Sequence, residues 1–303
     1  MVRPPLLKTG DTITIVAPAR KIKPEDLELA KKTFLGWGLR VELPDNIFSA
    51  SHSYLAGSDE VRLSDFQSAL DNPSVRCIIC ARGGYGTTRI LDSLDFSSFK
   101  NNPKWIAGFS DITALHLKLA SLGIESIHGT MPGLFQKTDS SASVESLRRV
   151  LFNGYETMEA PHVQWNRPGI AQGQLIGGNL SLIVDSMGTD SEPDTRKKIL
   201  VVEEIDEYLY RIDRMLMHLK RAGKIRDLSG LVIGHMTSIA DSESFGESIQ
   251  QVICRAVEEY DFPVAFGFPI GHENPNTAWI HGAEMTLKVT PQGSSISMAK
   301  TNI

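Results

Sequence analysis

The chain has 303 residues, 41% of them hydrophobic and 22% charged, with a formal net charge of −5. That length accommodates about two domains, and a mildly acidic balance without any lysine- or arginine-rich run argues against nucleic acid as a partner. Pro4 and Pro5 fall where a secretory leader would carry its apolar stretch, no segment is long and apolar enough to span a bilayer, and the three cysteines cannot all pair; the expectation is a cytoplasmic protein in a reducing compartment.

From the N-terminus, apolar β-branched runs alternate with amphipathic stretches. Strands are expected at 12–17, 40–43, 75–81, 105–109 and 125–128, and helices at 24–37, 58–71, 87–94 and 111–122. Ser58 is a natural N-cap for the second helix, with Asp59 and Glu60 at its positive end. This β-α-β-α rhythm predicts a parallel sheet covered on both faces, with function gathered at the C-terminal strand ends. Cys77 and Cys80 have C-x-x-C spacing, but within a strand residues three apart point to opposite faces, so a structural role is expected.

The rhythm loosens at 154–173, where Pro161, His162, Trp165 and Pro168 interrupt any periodicity. We therefore expect an N-terminal domain at 1–155, a linker at 156–172 and a C-terminal domain at 173–303. In the second domain Gly177-Gly178-Asn179 opens a helix running to Met187, a strand follows at 199–203, and the helix 210–222 has Ile212, Met215, Leu216 and Leu219 as its apolar face. A strand at 231–235, a helix at 245–260 and a largely strand-like end at 264–298 complete the chain, which has no internal repeat.

Two strand-to-helix turns carry the chemistry. After the strand at 75–81 comes Arg82-Gly83-Gly84-Tyr85-Gly86, and after that at 105–109 comes Ser110-Asp111-Ile112-Thr113. A serine before an apolar-periodic helix is ordinarily only an N-cap. Here Gly108 lies two residues before it, which gives the strand-turn-helix setting of a nucleophile elbow, although Ile112 stands where the second elbow glycine would be. A serine nucleophile needs a base and an orienting carboxylate. Among eight histidines, His272 stands out in the constrained turn Gly267-Phe268-Pro269-Ile270-Gly271-His272, with His235 and His128 as competitors at other strand ends, whereas His116 and His218 read as packing or surface residues. Glu203-Glu204-Ile205-Asp206-Glu207 ends an apolar strand and offers the carboxylate, Glu203 being the most rigidly held; the alternative is a set of solvated acids paired with Arg211 and Arg214.

The glycine loop lacks the lysine and spacing of a P-loop and the pattern of a dinucleotide fingerprint. Donation of backbone N–H groups to an oxyanion is the better use, with the amides of Gly84 and Asp111 as the pair. Arg82 is suited to a substrate carboxylate, and Tyr85 and Asn179 are the other expected substrate contacts. No H-E-x-x-H or equivalent spacing occurs, so neither metal nor cofactor is expected.

Taken together the motifs resemble the LD-carboxypeptidases, serine peptidases that include the microcin C self-immunity proteins. The likeness rests on Leu7-Lys8-Thr9-Gly10-Asp11-Thr12-Ile13 with Val16-Ala17-Pro18, on the two turns above, on Gly177-Gly178-Asn179-Leu180, on Glu203 to Glu207 with Tyr210-Arg211-Ile212-Asp213-Arg214, and on the turn ending at His272. The resemblance implies an α/β fold with a Rossmann-like N-terminal domain and a smaller, β-rich C-terminal domain, an active site between them, and a homodimer. It also implies the triad Ser110, Glu203 and His272, with Glu204 standing where the family has aspartate. The implied activity is hydrolysis of the amide between an L-centred diamino acid and terminal D-alanine in murein tetrapeptides, a step of peptidoglycan recycling. The alternatives are an immunity peptidase acting on peptidyl or aminoacyl nucleotides, and a non-catalytic protein whose glycine turns cradle a peptide or sugar.

Overall fold

The computed structural model describes residues 1–49, 51–155, 157–241 and 244–299. The first half supplies strands β1 (Thr12–Val16), β2 (Arg40–Glu42), β3 (Val75–Cys80), β4 (Trp105–Gly108) and β5 (Ser126–His128). They pair in parallel in the order β2-β1-β3-β4-β5, the doubly wound order whose winding reverses between β1 and β3. β1 and β4 are wholly buried and β3 nearly so, because helices cover both faces. Cys77 packs on one face with Ile79 and Cys80 on the other with Ile78, so the two thiols diverge as their spacing predicts.

The second half forms a sheet from β6 (Met158–Pro161), β7 (Gly169–Asn179), β8 (Ile199–Ile205), β9 (Gly230–Thr237) and β10 (Val264–Ala265), then β11 (Trp279–His281), β12 (Glu284–Thr290) and β13 (Gly293–Met298). Its order is β10-β9-β8-β7-β12-β13-β6, parallel from β10 to β7 and antiparallel beyond. β11 leaves this sheet and pairs antiparallel with β5, so the chain returns to close the edge of the first sheet. The fold is thus the α/β arrangement of a doubly wound parallel sheet and a smaller β-rich unit.

Several local expectations need correction. The stretch at 156–172 expected as a link carries β6 and the start of β7, and Gly177 and Gly178 end that strand, so the following helix is confined to Leu180–Asp185. The helix expected at 245–260 is Ile249–Ala256, opened by a capping box of Ser248 and Gln251. A helix at Ser141–Asn153, not anticipated, packs Leu147, Val150 and Leu151 into the core shared by both sheets. Among the described residues no helix is long and apolar enough to cross a membrane.

Candidate active site

Ser110 sits on a left-handed residue (φ 64°) between β4 and the helix Thr113–Ser121. A non-glycine residue is uncommon there and costs energy that its surroundings must offset. Those surroundings are close-packed at Gly108, where a Cβ would lie 2.9 Å from Ile112 Cγ1 and 3.2 Å from Cys80 Cβ. Ile112 therefore fills the space that Gly108 leaves open, which accounts for the missing second elbow glycine. Asp111, the next residue, is buried and accepts from the Thr87 amide at 2.9 Å, and burial pushes its carboxyl up. That contact ties the serine turn to the end of the glycine loop. As the second residue of a 3-10 turn at Ser110–Ile112, Asp111 has an N–H that precedes the first intrahelical bond.

The glycine loop lies directly against the serine. A Cβ on Gly83 would stand 3.1 Å from Ser110 Cβ, 3.2 Å from its Oγ and 3.4 Å from the Asp111 nitrogen. Gly84 (φ 109°) follows on the exposed side. The loop is braced from beneath by Arg62, whose fully buried side chain donates to the carbonyls of Pro18 and Gly86 (2.8 Å for the latter) and pairs with Asp59. Sequence reasoning missed this arginine, although it shares a helix face with Phe66, Ala69 and Leu70.

His272 reaches the serine from the other half of the chain. Its Nε2 is 2.9 Å from Ser110 Oγ and its Nδ1 2.7 Å from Glu203 Oε2. Its loop is pinned on both sides. Ile270 O accepts from the His235 amide at 2.7 Å where β9 bulges, while Asn274 and Asn276 bond to Thr138 and Ser143 of the first half. Gly271 (φ 122°) brings this loop onto the carboxylate: a Cβ there would be 2.9 Å from Glu203 Oε2.

The two adjacent glutamates differ sharply. Glu203 is fully buried; its Oε2 meets the imidazole, and its Oε1 has no hydrogen-bond partner among the described residues. Glu204 turns to the opposite side of β8 and accepts from Asn179 Nδ2 (2.8 Å), Ser181 N (2.8 Å), Ser181 Oγ (2.6 Å) and Ile205 N (2.9 Å). It is a structural anchor. Asn179, expected at the substrate, caps the helix Leu180–Asp185, donates to Glu204 and is 3% exposed. Gly177 and Gly178 are likewise buried: Gly178 abuts Thr113 Oγ1, which accepts from the Asn179 amide at 3.0 Å. These glycines let the end of β7 pack closely on β8 and on Thr113.

The competing histidines take other positions. His235 accepts from the Glu273 amide at 3.2 Å and supports the loop. His116, His128 and His281 form a buried cluster with Trp279 behind the elbow. His116 donates from Nε2 to Gly108 O (2.9 Å) and accepts from Ser126 Oγ (2.8 Å) at Nδ1, and burial lowers its pKa to about 4. His128 touches Phe109 but makes no hydrogen bond to Ser110. Arg82 is half-buried with Nη1 at 3.4 Å from Lys21 O, and Tyr85 is 51% exposed beside the loop. Among the described residues no cluster of histidine, cysteine and carboxylate side chains has metal-holding geometry.

A hydroxyl, an imidazole and a buried carboxylate in hydrogen-bond sequence, at the C-terminal ends of parallel strands, are the geometry of a serine hydrolase. The chain belongs to the LD-carboxypeptidase family: models of that family's N-terminal and C-terminal domains match residues 13–129 and 172–287. It is 35% identical over 300 residues to a probable murein peptide carboxypeptidase of Bacillus subtilis, covering 97% of this chain and 94% of the relative. It is 29% identical over 287 residues to the murein tetrapeptide carboxypeptidase of Pseudomonas aeruginosa, covering 91% and 92%. Among solved structures, the muramoyltetrapeptide carboxypeptidase of Oxalobacter formigenes superposes with a TM-score of 0.85 at 27% identity over 94% of this chain and 97% of the other. The MccF-like protein of Bacillus anthracis shares the fold, with a TM-score of 0.86 at 24% identity over 99% and 100%.

Proposed function

We propose that this carboxypeptidase uses Ser110 as nucleophile, His272 as general base and Glu203 as orienter, and hydrolyses the amide between the L-centre of a diamino acid and the terminal D-alanine of murein tetrapeptides. The observation that carries the reading is the unbroken relay from Ser110 Oγ through His272 to Glu203, at 2.9 and 2.7 Å. His272 Nε2 takes the hydroxyl proton as Oγ attacks the scissile carbonyl, and the amides of Gly84 and Asp111 receive the oxyanion. The tetrahedral adduct collapses as the imidazolium gives that proton to the departing amine of D-alanine, leaving the peptide as an ester on Ser110. Water, deprotonated by His272, then cleaves the ester and restores the serine. Glu203 holds the proton on Nδ1, keeps the imidazole facing the serine and stabilises its charged form.

The names of the relatives support a murein peptide as substrate. A cytoplasmic homodimer working in peptidoglycan recycling, with its nucleophile in an N-terminal domain at 1–155 and its base and orienter in a C-terminal domain at 173–303, belongs to the same reading. Incubation with murein tetrapeptide, followed by mass spectrometry, tests it. Release of D-alanine that survives EDTA and vanishes in Ser110→Ala is expected. Loss on chelation with retention in Ser110→Ala would overturn it, and binding without turnover would leave only a peptide-binding protein.

A further inference from the structure

Two arginines flank the point where the first sheet reverses its winding. Arg20 follows β1 and Arg82 follows β3, and in open α/β sheets ligands lodge at that switch point, outside the carboxyl ends of the strands. Arg82 Nη1 lies 3.4 Å from the carbonyl oxygen of Lys21, the neighbour of Arg20, and the Arg20 charge acts on Arg82. The Arg20 guanidinium rests 5.1 Å from the centre of the Tyr54 ring. Gly84 joins this group to the serine: its Cα faces Arg20 Cβ and Tyr54 Oη, each 3.0 Å from where a Cβ would stand, while the preceding Gly83 faces Ser110 Oγ.

The charges at this mouth are unbalanced. Several other arginines have carboxylate partners, Arg62 and Arg89 with Asp59, Arg148 with Glu145, and Arg255 with Asp213 and Glu247. Among the described residues neither Arg20 nor Arg82 has a carboxylate at ion-pair distance; Arg82 bonds only the Lys21 carbonyl and Arg20 only stacks. Asp26, whose charge acts on Arg82, is engaged by the Lys23 amide at 3.2 Å. Lys21, exposed beside them, adds a third positive charge. Burial and the Arg20 charge together hold the Arg82 pKa below its ordinary value, and an anion here would offset the repulsion between the two arginines.

We propose that Arg20 and Arg82 form the subsite for the C-terminal carboxylate of the substrate, and that this pair restricts the enzyme to removing one terminal residue. The proposal rests on Ser110 being the nucleophile. A terminal carboxylate lies one residue beyond the scissile carbonyl, about 3.8 Å along the chain, and Gly83 and Gly84, adjacent residues, face the serine and the Arg20 side chain respectively. Under this proposal a peptide continuing past that point would run into Arg20 stacked on Tyr54. Guanidinium groups also match a carboxylate in planar, bidentate fashion, which a lone lysine does not.

The test compares murein tetrapeptide with its C-terminal amide, using wild type, Arg20→Gln and Arg82→Gln, with a fluorophosphonate probe reporting serine reactivity. Wild type should cleave the free acid at least about tenfold better in kcat/KM than the amide, the scale of a charge-assisted hydrogen bond. Each variant should lose about tenfold on the acid, chiefly through KM, while keeping wild-type rates on the amide and wild-type probe labelling. Equal cleavage of acid and amide by wild type overturns the subsite, as does an equal loss on both substrates in variants that label normally. Persistence of hydrolysis in Ser110→Ala would instead remove the reading on which the subsite rests, so the two failures are distinct.

Discussion

Substituting Gly83 by alanine isolates the oxyanion wall from the rest of the site. The added methyl carbon would sit 3.1 Å from Ser110 Cβ, 3.2 Å from Oγ and 3.4 Å from the Asp111 nitrogen. Ordinary carbon–carbon contact is about 3.5–4.0 Å, so Ser110 must shift by a few tenths of an ångström. An oxyanion needs to lie about 2.7–3.1 Å from its amide donors, and the methyl crowds the Asp111 amide from the Ser110 side. Gly83, unlike Gly84 and Gly86, has no positive φ, so alanine adopts the backbone without strain. Removing one oxyanion donor elsewhere costs about 10²–10³ in kcat, or roughly 3–4 kcal/mol of transition-state stabilisation. Gly83→Ala should therefore lower kcat by about two orders of magnitude or more, with the urea midpoint changed by less than about 1 kcal/mol of stability. Steady-state kinetics with tetrapeptide and equilibrium unfolding measure the two. A fully active, stable Gly83→Ala enzyme would refute the placement of the oxyanion between this loop and the serine turn.

The two adjacent glutamates should separate cleanly. Glu203→Gln, which keeps the shape but changes the hydrogen bond to His272 Nδ1, should cut kcat by about 10⁴ with little change in melting temperature; Glu204→Ala strands the donors of Asn179, Ser181 and Ile205 and should cost about 3 kcal/mol or more of stability. Equal kinetic loss in both, with equal stability, would remove the distinction, and the opposite pattern would reverse the assignment. Acidification should weaken the fold through the buried histidines. His116 has its folded pKa depressed to about 4, so between its unfolded value near pH 6.5 and about pH 4 the unfolded chain binds a proton that the native state does not. Stability present above pH 6.5 is lost across that window, by about 3 kcal/mol for this residue, and His128 and His281, depressed by the same burial, add in the same direction. Urea unfolding at pH 7.5 and 4.5 checks this, and a stability flat across that range would refute it.

How much of this was readable from the sequence depends on the distance over which each feature is decided. Strands β1, β3 and β4 announced themselves because a parallel strand buried on both faces reads as a nearly continuous apolar, β-branched run, broken here only by buried Thr12 and Thr14 and by exposed Arg76. β6 and the outer part of β7 did not, because Met158–Pro161 ends in proline and residues 169–174 alternate exposed and buried positions with two glycines, a pattern close to that of a loop. The helix Ser141–Asn153 was hidden by serines in its first turns, two of which are buried to hold the loop carrying His272: Ser143 to the Asn276 amide and Ser146 to the Ala278 amide. Serine and histidine could be proposed from their local turns, but the choice of His272 over His235 or His128, and of Glu203 over Glu204, is made by contacts between residues far apart. Gly271 must lie on Glu203, the β9 bulge must hold Ile270, and Asn179 must engage Glu204. The same reasoning explains the departure at Ile112. A second elbow glycine serves close packing beside the nucleophile, and here the β4 side of the elbow is already a glycine that Ile112 fills from above, so Gly108→Ala would drive a methyl to within 2.9 Å of Ile112 and unseat Ser110 through packing alone.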